Sequence, residues 1–97
     1  MFARVTIAQF ESDELDEVTK LYEESVVPAA KSQDGYCGLY LLTDRKTGKA
    51  LSIALWDSEE HAIANEQSGY CQEQVNKFKD FFIARPVREG YEVSVIA

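Results

Sequence analysis

Gly35-Tyr36-Cys37-Gly38-Leu39-Tyr40-Leu41-Leu42-Thr43-Asp44 and Ala50-Leu51-Ser52-Ile53-Ala54-Leu55-Trp56-Asp57-Ser58-Glu59-Glu60 are two apolar runs on either side of a polar turn. Residues 36–43 and 50–56 have the length and β-branched or aromatic content of strands. Between them, Asp44-Arg45-Lys46-Thr47-Gly48 supplies a side-chain acceptor at one end and a glycine suited to positive φ at the other, so the unit is a hairpin. Its second strand ends in the only Trp of the chain and runs directly into the polar residues that start a helix, with Asp57 or Ser58 as cap and Glu60 three residues after Asp57.

Working outward, Phe2 to Phe10 sets Ala3, Val5 and Ile7 against Phe2, Arg4, Thr6 and Ala8, the period of two of a strand. Ser12 or Asp13 then caps a helix in which Leu15, Val18, Tyr22 and Val26 form an apolar stripe opposite Glu14, Asp16, Glu17, Lys20, Glu23 and Glu24. Pro28 is expected to end or kink it, because proline lacks the amide donor. Gly69 should interrupt the second helix. Beyond it Cys71, Val75, Phe78 and Phe82 make a further stripe that Arg85-Pro86 is expected to stop. Tyr91, Val93 and Val95 alternate with Glu92, Ser94 and Ile96 as a last strand.

The order is βαββαβ, an α+β, ferredoxin-like arrangement with an antiparallel sheet and two helices on one face. Such a sheet should be apolar inside and polar outside if its second face is wet. Here Leu51, Ile53 and Leu55 oppose Ala50, Ala54 and Trp56, so both faces are apolar, and a second copy of the chain is the simplest cover for the outer one.

With 97 residues the chain is expected to form one domain over 1–97. Its 45% hydrophobic and 11% aromatic content is that of a folded protein. A formal net charge of −7, with no basic stripe, speaks against nucleic acid and against a membrane surface. The amino-terminal residues alternate rather than run apolar, so no signal peptide or span is read there and a cytoplasmic location is expected. Cys37 and Cys71 are too few for a disulfide scaffold and are read as reduced thiols. One His and two Cys give no metal-ligand spacing, and no glycine-rich phosphate loop follows a strand.

The chain resembles the antibiotic-biosynthesis-monooxygenase-like branch of the dimeric α/β-barrel superfamily. The resemblance is carried by Val26-Val27-Pro28-Ala29-Ala30, Gly35-Tyr36-Cys37-Gly38-Leu39, Thr47-Gly48-Lys49-Ala50-Leu51 and Leu55-Trp56-Asp57-Ser58-Glu59-Glu60, and it runs over essentially the whole chain. It implies a homodimeric α/β barrel with a pocket between sheet and helices and the Trp56 position near its wall. The family includes oxygenases that use no cofactor, haem-degrading enzymes, isomerase-like members and proteins without assigned chemistry. Haem-degrading relatives place an Asn on strand one and a His on the second helix about ten residues after the strand-three Trp. Thr6 and Glu66 stand at those positions here, and the single histidine, His61, comes too early. Haem degradation is therefore disfavoured.

Each candidate site residue has a functional and a structural reading. Trp56 either stacks on an aromatic substrate or fixes the strand-to-helix corner. His61 is the one group with an ordinary pKa near neutrality. Its first-turn position would lower that pKa and leave a base, while a solvated surface histidine is the plainer reading. Arg4, on the same side of strand one as Thr6, could hold an anionic substrate or pair with an acid such as Glu92. Tyr36, Tyr40, Tyr70 and Tyr91 offer phenol donors or sheet packing. Cys71 reads as packed.

Catalysis is therefore assigned to His61, and substrate contact to Trp56, Arg4, Thr6 and Tyr70. The resulting expectation is a small-molecule-binding homodimer, a cofactor-independent monooxygenase acting on an aromatic or conjugated organic molecule that itself activates oxygen. The alternative is a non-catalytic binding or stress-associated module. A dry pocket of ~300 Å³ or more beside Trp56 would favour the enzyme reading, and a solidly packed space there would defeat it.

Overall fold

The structure, a computed structural model, describes residues 1–97. Strand β1 (Phe2–Gln9) leads through a single 3-10 turn (Ser12–Glu14) into α1 (Leu15–Leu21), a π-helical turn (Tyr22–Val26) and α2 (Val27–Lys31). The hairpin β2 (Tyr36–Thr43) and β3 (Lys49–Trp56) follows, then α3 (Glu59–Gln67), α4 (Tyr70–Asn76) and β4 (Val87–Glu92). The sheet order is β2-β3-β1-β4 and every neighbouring pair is antiparallel. This is the expected α+β, ferredoxin-like antiparallel sheet.

Pairing fixes which residues share a face. Arg4 lies opposite Ala54, Thr6 opposite Ser52, Leu41 opposite Ser52 and Arg88 opposite Thr6, so these side chains point together toward the helices. Val5, Ile7, Leu51, Ile53, Tyr40, Leu42, Val87 and Tyr91 belong to the other face. A register shift between Tyr36 and Gly38 leaves Cys37 as the extra residue of a bulge, the role glycine at the start of β2 suggested.

Five local expectations need correction. Pro28 does not end the first helix, because the π turn before it absorbs the missing donor: the Val27 amide reaches the Tyr22 carbonyl, and the helix continues to Lys31. Neither Ser12 nor Asp13 caps that helix through its side chain, the 3-10 turn occupying the cap region instead. Ser58, one of the two expected candidates, caps α3 by accepting from the His61 amide, so Glu60 is not at the position that could close a capping box with Asp57. The last strand is shifted to Val87–Glu92, where β1 offers pairing partners, and Val93–Ala97 lies beyond it. The break at Gly69 (φ 87°) does separate α3 from α4, but α4 ends at Asn76, well before Arg85-Pro86.

The main core joins Phe10, Leu15, Val18, Tyr22, Val26, Ala50 and Phe78, so the whole apolar stripe of the first helical segment is buried. Phe10 ties this cluster to Phe82 by a stacked contact of 5.3 Å between ring centroids. A second cluster gathers Phe2, Trp56 and Ala62, with Tyr36, Ala54 and Tyr70 against it. Gly48 locks the hairpin turn onto β1. Its φ is 80°, its carbonyl accepts from the Phe10 amide at 2.9 Å, and a Cβ there would stand 2.0 Å from the Phe10 carbonyl oxygen.

Candidate functional site

Between the two clusters lies a cavity of about 110 Å³. It exists because the middle of the sheet presents small side chains to the helices: Thr6 and Ala8 on β1, and Ala50, Ser52 and Ala54 on β3. Large residues wall it on every side. Leu39 and Leu41 come from β2, Trp56 from the end of β3, Tyr22 and Val18 from the first helical segment, and Tyr70, Val75 and Phe78 from α4 and the turn after it. Of the 21 residues around the space 16 are hydrophobic, so it suits an apolar body. Its volume is below the ~300 Å³ typical of sites for drug-sized ligands and nearer that of a cavity accommodating a single benzene ring.

Arg4, Thr6, Trp56 and Tyr70 all line this cavity. Trp56, 2% exposed, meets the Tyr70 ring edge-on at 6.4 Å, so it both fixes the strand-to-helix corner and forms wall. Arg4 pairs with Glu66 on α3 and lies 5.3 Å from the centre of the Phe2 ring. Its acidic partner is thus on the helix and not at the strand edge, where Glu92 lies opposite Phe2. Glu66, at the position of a histidine in haem-degrading relatives, is engaged by that guanidinium.

His61 is not among the lining residues. Its Nδ1 lies 2.6 Å from Asp57 Oδ1 at the outer corner between β3 and α3, where both side chains are partly solvated. The hydrogen bond and charge of Asp57 hold the imidazole above its ordinary pKa, and the same bond holds the Asp57 carboxyl below its own. The expected depression by the helix start is outweighed by this carboxylate.

Polar groups that the sequence did not single out complete the cavity. The Tyr22 hydroxyl lies 2.7 Å from Ser52 Oγ and also donates to the Tyr40 carbonyl at 3.3 Å. Burial pushes the Tyr22 phenol up to about 12, against the pull of Ser52, and burial raises that of Tyr70 as well. Both phenols are therefore neutral donors near pH 7. Burial also raises the Cys71 thiol, with Arg88 pulling the other way. Arg88 reaches the cavity from β4 and forms no ion pair. The available signal was parity: on β3 the inward positions read Ala50, Ser52, Ala54, Trp56, a row of small residues ending in a large one.

Chemically, the cavity offers an apolar bed, an aromatic wall, neutral hydroxyl donors and two guanidinium groups. No carboxylate or imidazole lines it. Such a set can bind a small planar molecule and stabilise negative charge on its oxygen, whereas it holds no strong base. No cluster of three or more His, Cys, Asp or Glu side chains is placed to hold a metal ion. No helix is long and apolar enough to cross a membrane.

The fold is that of antibiotic biosynthesis monooxygenase domain proteins. A monooxygenase of Streptomyces coelicolor, solved in complex with nanaomycin D, matches with a TM-score of 0.77 at 11% identity, covering 99% of this chain and 91% of that one. SnoaB, a cofactor-independent oxygenase from Streptomyces nogalater, matches with a TM-score of 0.74 at 11% identity over 98% and 94% of the two chains. A protein of Nitrosomonas europaea, provisionally named an antibiotic biosynthesis monooxygenase, has a TM-score of 0.77 at 9% identity over 98% and 100%. In sequence, two uncharacterized proteins of Mycobacterium tuberculosis are 38% identical over 55 residues, which is 57% of this chain and 25% of each relative. The match thus spans a quarter of the length of those curated relatives. No protein-family model matches the sequence.

Proposed function

We propose that this chain is a small-molecule-binding homodimer that carries out cofactor-independent oxygenation of an aromatic or conjugated substrate. The observation that carries the reading is the apolar cavity beside Trp56, in which the Tyr22 and Ser52 hydroxyls and the Arg4 and Arg88 guanidinium groups surround space for about one ring. Its fold neighbours include a protein described as a cofactor-independent oxygenase. In such chemistry the substrate itself supplies the electrons: an acidic ring-activated methylene loses a proton, its carbanion reduces oxygen, and the resulting peroxide expels water to leave a carbonyl. The balance is R2CH2 + O2 → R2CO + H2O. Because no base lines the cavity, the substrate must be acidic enough to ionise with help from Arg4 and Arg88. Trp56 and Tyr70 would hold its ring and Thr6 its edge. His61 would act only from outside the cavity.

Dimerisation is supported by the outer sheet face. Tyr40, Leu42, Val87 and Tyr91 are each about half exposed there, beside Val5, Ile7, Leu51, Ile53 and Leu55. A face of this kind is suited to sheet-on-sheet contact with a second copy. The small cavity and its lack of a base favour a second reading, binding without catalysis.

Oxygen uptake separates the two readings. Single-ring substrates carrying an acidic, ring-activated methylene, offered with no added cofactor, should consume oxygen with the protein and yield the corresponding carbonyl product. Binding of such compounds without uptake would sink the enzyme reading. Native mass spectrometry should give twice the 11.0 kDa chain mass, and a monomer at micromolar concentration would refute the dimer.

A further inference from the structure

A second, wetter depression adjoins the cavity. It has a volume of about 480 Å³, and it shares Thr6, Val75, Phe82 and Arg88 with the apolar space. Its remaining lining is largely polar and includes Lys79 and Arg85. Three of the ten cations of the chain therefore converge on one cleft, although acids outnumber them seventeen to ten overall. None of the three has a carboxylate within ion-pair distance, since the ion pairs are Arg4 with Glu66, Arg45 with Asp16 and His61 with Asp57. No Asp or Glu lines either the cavity or the cleft.

Lys79, Arg85 and Arg88 are all solvent-exposed, so water screens part of their mutual repulsion. Like charges in one concavity repel, and a strongly acidic chain has ample carboxylates to neutralise them. An oxyanion would relieve the repulsion and gain charge-assisted hydrogen bonds from two guanidinium groups and an ammonium. Arg88 is the hinge of the arrangement, because it borders both spaces and stands opposite Thr6 in the sheet.

We propose that cavity and cleft form one bipartite site for an amphipathic anion: a small apolar ring beside Trp56, and a short tail ending in a carboxylate or phosphate held by Arg88, Arg85 and Lys79. The proposal rests on the reading of the cavity as a ligand site and adds the charge and shape of the ligand. A field of this sign at the mouth would also draw such anions toward a protein that otherwise repels them.

Three probes test it, each carrying one benzene ring: hydrocinnamate, benzyl phosphate and the neutral hydrocinnamyl alcohol. Binding is followed by calorimetry and by the fluorescence of Trp56. At low salt one or both anions should bind about tenfold or more tightly than the alcohol, and added salt should shrink the gap. Which anion wins tells carboxylate from phosphate. The preference should vanish in Arg88→Gln and in the double variant Lys79→Gln with Arg85→Gln. It should survive in Lys20→Gln with Lys46→Gln, which removes the same net charge from exposed positions elsewhere. Equal binding of anions and alcohol, or a preference that the cleft variants keep, overturns the bipartite site while leaving the cavity as a ligand site. If no probe binds, the cavity reading itself fails and the bipartite site with it.

Discussion

Removing the Tyr22 hydroxyl offers the sharpest view of how the cavity is held. Tyr22 is 7% exposed, and its oxygen lies 2.7 Å from Ser52 Oγ and 3.3 Å from the Tyr40 carbonyl. Tyr22→Phe strips Ser52 of this partner in a mostly apolar surrounding and leaves the ring packing intact. A hydrogen-bonding group left unpaired in the interior costs about 1–3 kcal/mol. At about 2 kcal/mol the melting temperature of a domain this size falls by roughly 8–16 °C. Ser52→Ala should cost less, about 1 kcal/mol, because Tyr22 can still donate to the Tyr40 carbonyl.

The double variant is the deciding one. With both hydroxyls gone Ser52 no longer leaves an unpaired hydroxyl, and the Tyr40 carbonyl loses the same donor as in Tyr22→Phe, so the loss should be no larger than that of Tyr22→Phe alone, a coupling of about 1 kcal/mol. Urea denaturation followed by Trp56 fluorescence measures all three variants, with midpoints compared at constant slope. Losses that simply add would show that the two hydroxyls do not depend on one another and would refute this reading of the cavity wall.

Two further outcomes are expected. Gly48→Ala should destabilise the fold far more than Gly69→Ala, as read from thermal melts: both positions have positive φ, but only at Gly48 would the new Cβ collide with backbone, the Phe10 carbonyl, while Gly69 has nothing within 4 Å. Proton NMR should find His61 titrating above its ordinary 6.5, and Asp57→Asn should return it toward that value. The raised His61 pKa gives a stabilisation fully present below 6.5 and lost as pH rises through the folded value, and the lowered Asp57 pKa gives one fully present above 3.8 and lost as pH falls through its folded value. The pair therefore stabilises most between those limits, and an unchanged His61 titration in Asp57→Asn would contradict the contact.

Much of the fold was legible because its signals are local. The hairpin, the bulge near Gly38, the Gly69 break and the Leu15, Val18, Tyr22, Val26 stripe depend on periodicity and backbone chemistry that neighbouring residues determine. What was misread depends on tertiary context. A π turn rescues Pro28, and β1 decides where β4 ends, neither of which can be seen from a short window. For the site, Arg4, Thr6, Trp56 and Tyr70, expected as substrate contacts, all border the cavity, Arg4 and Thr6 through their shared side of strand one and Trp56 through its corner. Tyr22 and Ser52 were passed over because each looks ordinary on its own element, and only the packing of the first helical segment over β3 brings their hydroxyls together. Arg88 was hidden by the shifted register of the last strand. His61 was given weight for its chemistry, yet its place at the outer corner follows from Asp57 and the Ser58 cap.

The central claim is that the space beside Trp56 admits a small planar organic molecule. Trp56 is the only tryptophan, so its emission reports on that space directly. Titration with one-ring phenols and hydroquinones should change the emission saturably in the wild-type protein, and Ser52→Leu, which fills the cavity from the sheet side, should abolish the response while the protein stays folded by circular dichroism. An absence of saturable change, or a response that Ser52→Leu leaves intact, would contradict the account.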